Sequence, residues 1–254
     1  MDAFWRASLA QMGQFIPQGL SNVLYACSEL NQLPPAGWRE RFWYVSEGKL
    51  ASFTEQDFSN TIYACGQLGI TPPARWMQEF WRASSLELGQ FKAQGLANSL
   101  YACGLLALQP EPDWLHRFWE ASEGKLHSFK EQELSNTLYA CGKLGITPPA
   151  GWMRKFWRAS LPKLGQFTEQ NLANSLYACG LLALQPEPHW LRRYSEASEG
   201  KLDSFTPQHC ANSLHAVAIL QLWDCPVIGA LWTKLIAAVA PPSSPERVLL
   251  AREL

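Results

Sequence analysis

The sequence predicts an all-α fold, an α-solenoid of 38-residue helix-turn-helix repeats, from three observations. Leu96 to Pro112, LANSLYACGLLALQPEP, returns residue for residue as Leu172 to Pro188. Single residues recur at a spacing of 38: Asn22, Asn60, Asn98, Asn136, Asn174 and Asn212; Trp38, Trp76, Trp114, Trp152 and Trp190; Cys27, Cys65, Cys103, Cys141 and Cys179. Between these markers the apolar residues fall at helical spacing. A period of about 20 to 50 residues marks a stacked array in which each unit touches mainly its neighbours.

The repeats fall at 2–33, 34–71, 72–109, 110–147, 148–185 and 186–225, with a degenerate unit at 226–240 and, at 241–254, the truncated start of a further helix or a tail. In the unit 34–71, Pro34-Pro35 suits a helix start, where proline is tolerated in the first turn. Trp38, Phe42 and Val45 form one apolar stripe, giving helix A from about Ala36 to Lys49. Thr54, with acidic residues in the turn behind it, is a helix N-cap. Phe58, Ile62, Cys65 and Gly69 form the second stripe, so helix B runs from about Glu55 to Leu68. Gly69 and Pro72-Pro73 end it. Six such pairs and a seventh helix A near Val227 to Val239 account for the chain. Both ends fall inside a repeat, so a fragment or reduced copy of a longer array is expected.

With 47% hydrophobic residues the chain can bury a continuous core, and a formal net charge of -1 excludes a strongly electrostatic nucleic-acid binder. No apolar run is long enough to span a membrane, so a soluble protein is expected. Five of the seven cysteines are one repeat position copied on an apolar face, and Cys210 and Cys225 are incidental. Neither a disulfide framework nor the short ligand spacings of a zinc site is present. The histidines His116, His127, His189, His209 and His215 occupy unrelated repeat positions, and no catalytic motif appears. No enzyme activity, metal, cofactor or small-molecule substrate is expected.

Function must then come from a repeated surface. On a helix wheel Asp57, Asn60, Thr61 and Ala64 lie away from the apolar stripe. Position 60 is always Asn, while position 57 varies as Gly19, Asp57, Gly95, Glu133, Asn171 and His209. A constant amide beside a varying residue is the pattern of a modular base reader. The alternative is that the Asn copies tie repeats together and position 57 drifts on solvent. The expected base-facing set is Asp57, Asn60, Thr61, Gly95, Asn98, Ser99, Glu133, Asn136, Thr137, Asn171, Asn174, Ser175, His209, Asn212 and Ser213. Arg41, Arg117, Arg154, Lys155, Arg192 and Arg193 on helix A are the phosphate-facing candidates, because cations near a helix N-terminus oppose its dipole and a phosphate relieves that. The tyrosines Tyr25, Tyr63, Tyr101, Tyr139 and Tyr177, replaced by His215, suit packing between repeats, with base stacking as the alternative.

The repeat resembles the octotricopeptide repeat family in its period and in two motifs. Pro34-Pro35-Ala36-Gly37-Trp38, Pro72-Pro73-Ala74-Arg75-Trp76 and Pro148-Pro149-Ala150-Gly151-Trp152 are similar to its PPPEW-like start. Leu96 to Cys103 and its copies look like its helix signature. Alternate copies depart from it, as at Pro110-Glu111-Pro112-Asp113-Trp114 and Pro186-Glu187-Pro188-His189-Trp190, and the copy at Pro226 lacks the tryptophan. The resemblance implies sequence-specific binding of single-stranded RNA and control of organellar transcripts through their stability, processing or translation. The organelle it implies is the chloroplast, with the mitochondrion as alternative. Outside that resemblance, a protein-protein interaction scaffold is the competing class.

Overall fold

Prolines at the repeat starts and left-handed residues at the repeat ends cut the chain into short helices. The computed structural model describes residues 2–239, and among them every regular element is helical. The expectation for 241–254, and residue 240 of the degenerate unit, lie outside the described residues. Two units form, one ending at Ser128 and one beginning at Phe129. The first holds α1 (Asp2–Gln11), α2 (Pro17–Glu29), α3 (Ala36–Glu47), α4 (Glu55–Leu68), α5 (Ala74–Glu87), α6 (Ala93–Leu106) and α7 (Pro112–Glu123). The second holds α8 (Glu131–Leu144), α9 (Ala150–Ser160), α10 (Glu169–Leu181), α11 (Pro188–Glu199), α12 (Pro207–Leu220) and α13 (Ile228–Val239). Odd-numbered helices are the A helices and even-numbered ones the B helices. Each unit stacks its helices as an α-solenoid does.

Helix A ends earlier than its stripe suggests. After Gly48 the chain tightens into a 3-10 turn at Leu50–Ser52, which buries Leu50 before Phe53 leads into α4. Lys49, expected to close helix A, instead sends its ammonium back one repeat. Its Nζ lies 2.9 Å from the Gly13 carbonyl and also donates to that of Phe15. Lys125 clasps the Gly89 and Phe91 carbonyls in the same way, each at 2.7 Å. A cation on carbonyls that no helix bond satisfies is a charge-assisted cap on the preceding repeat.

The A layer is spaced by indoles. Trp76 Nε1 donates to Ser46 Oγ at 2.9 Å, Trp114 to Ser84 at 3.0 Å, and in the second unit Trp190 to Ser160 at 2.9 Å. Beside each bond a second tryptophan packs edge-on: Trp43 on Trp76, Trp81 on Trp114 and Trp157 on Trp190, with ring centroids 5.0–5.1 Å apart. These indoles lie in the core, and the hydrogen bond lets their only polar atom stay there.

The B layer is spaced by almost nothing. A methyl group on Gly66 would lie 2.9 Å from Ala102 Cα, and one on Gly180 only 2.8 Å from Ala216 Cα. Glycine at one position and alanine at the next repeat's facing position therefore set how closely α4 meets α6 and α10 meets α12. Ala178 faces Gly142 in the same way; Ala64, Ala102, Ala140, Ala178 and Ala216 are buried, whereas Ala26 is exposed.

Every B helix ends the same way. Asn31, Gly69, Ala107, Gly145, Ala183 and Gln221 all have positive φ, between 49° and 67°. The next amide then bonds back to the carbonyl five residues earlier, as Ile70 does to Cys65 at 2.9 Å and Leu108 to Cys103 at 2.9 Å. This is the Schellman arrangement, which turns the chain toward the following proline.

Candidate functional site

Helical spacing puts positions 56, 60, 63 and 67 of α4 on one stripe, opposite the core-facing Phe58, Ile62 and Cys65. Gln56 and Gln67 are exposed, while Asn60 and Tyr63 are half-buried. The stripe repeats. Position 56 is glutamine in all six B helices: Gln18, Gln56, Gln94, Gln132, Gln170 and Gln208. Each B helix thus presents a glutamine, an asparagine and an aromatic ring in a line. Adjacent rings meet across repeats, Tyr25 and Tyr63 at 6.2 Å between centroids, Tyr177 and His215 at 5.7 Å. Gln208 Nε2 donates to Asn212 Oδ1 at 2.7 Å, so amides of one stripe reach each other. Burial raises the Tyr63 hydroxyl pKa, and the nearby Glu29 carboxylate adds to it, keeping the phenol a hydrogen-bond donor.

Against this geometry the expected base-facing set divides. Asn60, Asn98, Asn136, Asn174 and Asn212 lie on the stripe and are half-exposed. Thr61, Ser99, Thr137, Ser175 and Ser213 are 0–1% exposed. One step of about 100° round the helix carries them from the surface into the interior, where Ser213 meets the Tyr194 hydroxyl of helix A at 3.3 Å. Asp57, Glu133 and Asn171 are also buried, because they close the first turn of their helices. Asp57 accepts from Thr54 N at 3.0 Å and from Ser21 Oγ of the preceding repeat at 2.7 Å. Glu133 accepts from Lys130 N at 2.8 Å, and Asn171 N donates to Thr168 Oγ1 at 3.2 Å. His209, half-exposed, accepts at Nδ1 from Thr206 N at 3.3 Å. At Asp57, Glu133, Asn171 and His209 the residue at position 57 takes part in the helix cap with the residue three places before it.

Gly95 differs from these. It has no side chain to cap α6, and it lines a cleft of about 220 Å³ between α4 and α6. The amides of Gln56, Asn60, Gln94 and Asn98 surround that space, Tyr25 supplies a ring, and Glu55 and Lys92 supply opposite charges. The glutamines were missing from the expected set, although six copies at constant spacing were readable in the sequence.

The basic candidates stand on the other layer. Arg41, Arg117, Arg154, Lys155, Arg192 and Arg193 are all exposed on A helices, whose opposite sides bury Trp38, Phe42 and their copies. The Arg41 guanidinium lies over the Tyr44 ring at 5.3 Å, and Arg193 pairs with Glu196 at 2.8 Å. A strand lying along the amide stripe has the helix-pair core between it and these cations. The exposed cations on or at the start of the B helices are Lys92, Lys130 and Lys143.

The cysteines hold no chemistry at this surface. All seven are free and buried. Burial raises the thiols of Cys65 and Cys141, and pushes those of Cys103 and Cys179 up to about 12. Among the described residues no His, Cys, Asp and Glu group has the arrangement of a metal site, and no helix is long and apolar enough to cross a membrane.

Residues 74–249 match the model of the family described as Tbc2 translation factor, N-terminal domain. No curated protein matches the chain.

Proposed function

The chain belongs to the Tbc2 translation factor N-terminal domain family, and from that premise we propose that it binds single-stranded RNA along the exposed stripes of its B helices, acting in organellar translation without catalysing a reaction. The observation that carries this reading is the stripe itself. Glutamine and asparagine amides each donate and accept, and a phenol ring offers a stacking face, so one stripe meets the edge and the plane of an unstacked base. Repetition at a fixed interval suits a polymer with a repeated unit. Lys130 and Lys143 meet phosphates, replacing the A-helix arginines in that role. The organelle is the chloroplast, with the mitochondrion as the alternative, and the bound RNA is a transcript whose translation, processing or stability the protein controls.

The test is selection of this chain against a randomised single-stranded RNA pool, with sequencing of the bound fraction. Enrichment of a short motif is expected, with affinity falling as salt rises at a log–log slope of about 0.7 per phosphate contact. Replacing Gln56, Asn60 and Tyr63 together by alanine abolishes the enrichment, whereas replacing Arg41 and Arg117 leaves it unchanged. A folded chain that enriches nothing sinks the RNA reading and favours a scaffold that binds other proteins.

A further inference from the structure

The residue at position 57 differs between α4 and α6 in how it meets the preceding B helix. In α4 the Asp57 carboxylate fills the gap to the preceding B helix by accepting from Ser21 at 2.7 Å. In α6 the corresponding pair is Ser59 and Gly95, and no side chain bridges it. A methyl group built on Gly95 would stand 3.5 Å from Ser59 Oγ and 3.3 Å from the Phe91 ring, so any side chain here narrows the place that glycine leaves open. The cleft of about 220 Å³ lies there, lined by both Ser59 and Gly95.

We propose that this cleft is a nucleobase notch: one base of the bound strand leaves the surface row and inserts between α4 and α6. The proposal rests on the RNA reading above. The cleft walls have the required chemistry. Tyr25 provides an aromatic wall, and four amides provide donors and acceptors whose orientation adapts to the base. Two lining groups have fixed roles and set the preference. Lys92 only donates, toward a base carbonyl or ring nitrogen, and Glu55 only accepts, from a base N–H. The variation among Gly, Asp, Glu, Asn and His at position 57 is then a spatial code. Glycine opens a notch, and a capping side chain shuts it.

The experiment uses the whole chain and two reciprocal variants. Gly95→Asn installs the residue found at the corresponding site of α10, closing the notch with no change of charge. Asn171→Gly removes that residue from α10 and opens the equivalent site. Circular dichroism and thermal melting first establish that each variant folds. Selection on the randomised RNA pool is then repeated with parent and variants. Gly95→Asn is expected to lose preference at one position of the motif, keep the others, and bind the parent motif about tenfold more weakly, the loss of one stacked base. Asn171→Gly gains preference at one further position. A folded Gly95→Asn that keeps the complete motif and affinity overturns the notch while leaving the RNA reading standing. If Gly95→Asn fails to fold, Asn171→Gly decides: no gained position overturns the proposal. A parent chain that selects no motif fails the RNA reading, and the notch falls with it.

Discussion

Ser21 Oγ donates to Asp57 Oδ1 at 2.7 Å, so a hydroxyl of one repeat completes the helix cap of the next. Local capping and inter-repeat cohesion therefore share one carboxylate. Asp57→Ala removes the cap and leaves the Ser21 hydroxyl unbridged. The expected cost is about 2 kcal/mol, read as a shift in urea midpoint at constant slope. An unchanged midpoint would show that neither the cap nor the Ser21 bond contributes to stability.

The indole bonds of the A layer give a comparison of one substitution at two sites. Ser160 receives Trp190 Nε1 at 2.9 Å, and both residues are buried. Ser198 occupies the corresponding position one repeat later and is equally buried, but Ile228 stands where the tryptophan would be. Ser160→Ala strands a buried indole N–H and is expected to cost about 1–3 kcal/mol. Ser198→Ala strands no indole N–H and is expected to cost less than Ser160→Ala. Chemical denaturation of the two variants side by side checks the difference; equal losses would mean the hydrogen bond is not what the serine contributes.

The fold was legible because its signals are local and copied many times. Helix B was expected over Glu55 to Leu68, and α4 spans those residues; the A helices follow their tryptophan stripes. The 3-10 turn at Leu50–Ser52 was not legible from the apolar stripe; it recurs at Met12–Gln14 and Leu88–Gln90, where Gln11 and Glu87 stand in place of Lys49. The candidate site was legible only in part, for a geometric reason. Asn60 and Thr61 are neighbours in sequence but about 100° apart on the helix. Without knowing where the neighbouring helices pack, a wheel shows the apolar face and does not divide the polar remainder into surface and interior. Asn60 went to the surface and Thr61 into the interior. Gln56, constant like Asn60, lies outside the expected set, and its exposure places it on the stripe.

Ala107 ends α6 with φ at 52°, a conformation that costs an L-residue about 1–2 kcal/mol. Gly69 and Gly145 fill the same cap elsewhere without that cost. Ala107→Gly gives back part of the gain through a more flexible unfolded chain. A net stabilisation of about 0.5–1 kcal/mol is expected, although glycine usually weakens helices. Thermal unfolding beside the parent checks it, and a lowered midpoint would show that the left-handed cap is not strained.

His209 ties the stability of α12 to pH. Its Nδ1 accepts from Thr206 N at 3.3 Å, which requires the unprotonated ring nitrogen, and burial lowers its pKa below the ordinary 6.5. Glu169 works in the opposite sense and is the weaker influence. With the folded pKa below the unfolded one, the unfolded chain binds more protons as pH falls. There is no penalty well above pH 6.5; it grows as pH falls through that value and is complete below the folded pKa. His209→Asn keeps an oxygen acceptor for the cap, as Asn171 does in α10, and removes the titration. Urea midpoints from about pH 5 to 8 are expected to fall more steeply on the acid side for the parent than for the variant. Parallel profiles would show that the His209 cap does not depend on the neutral ring.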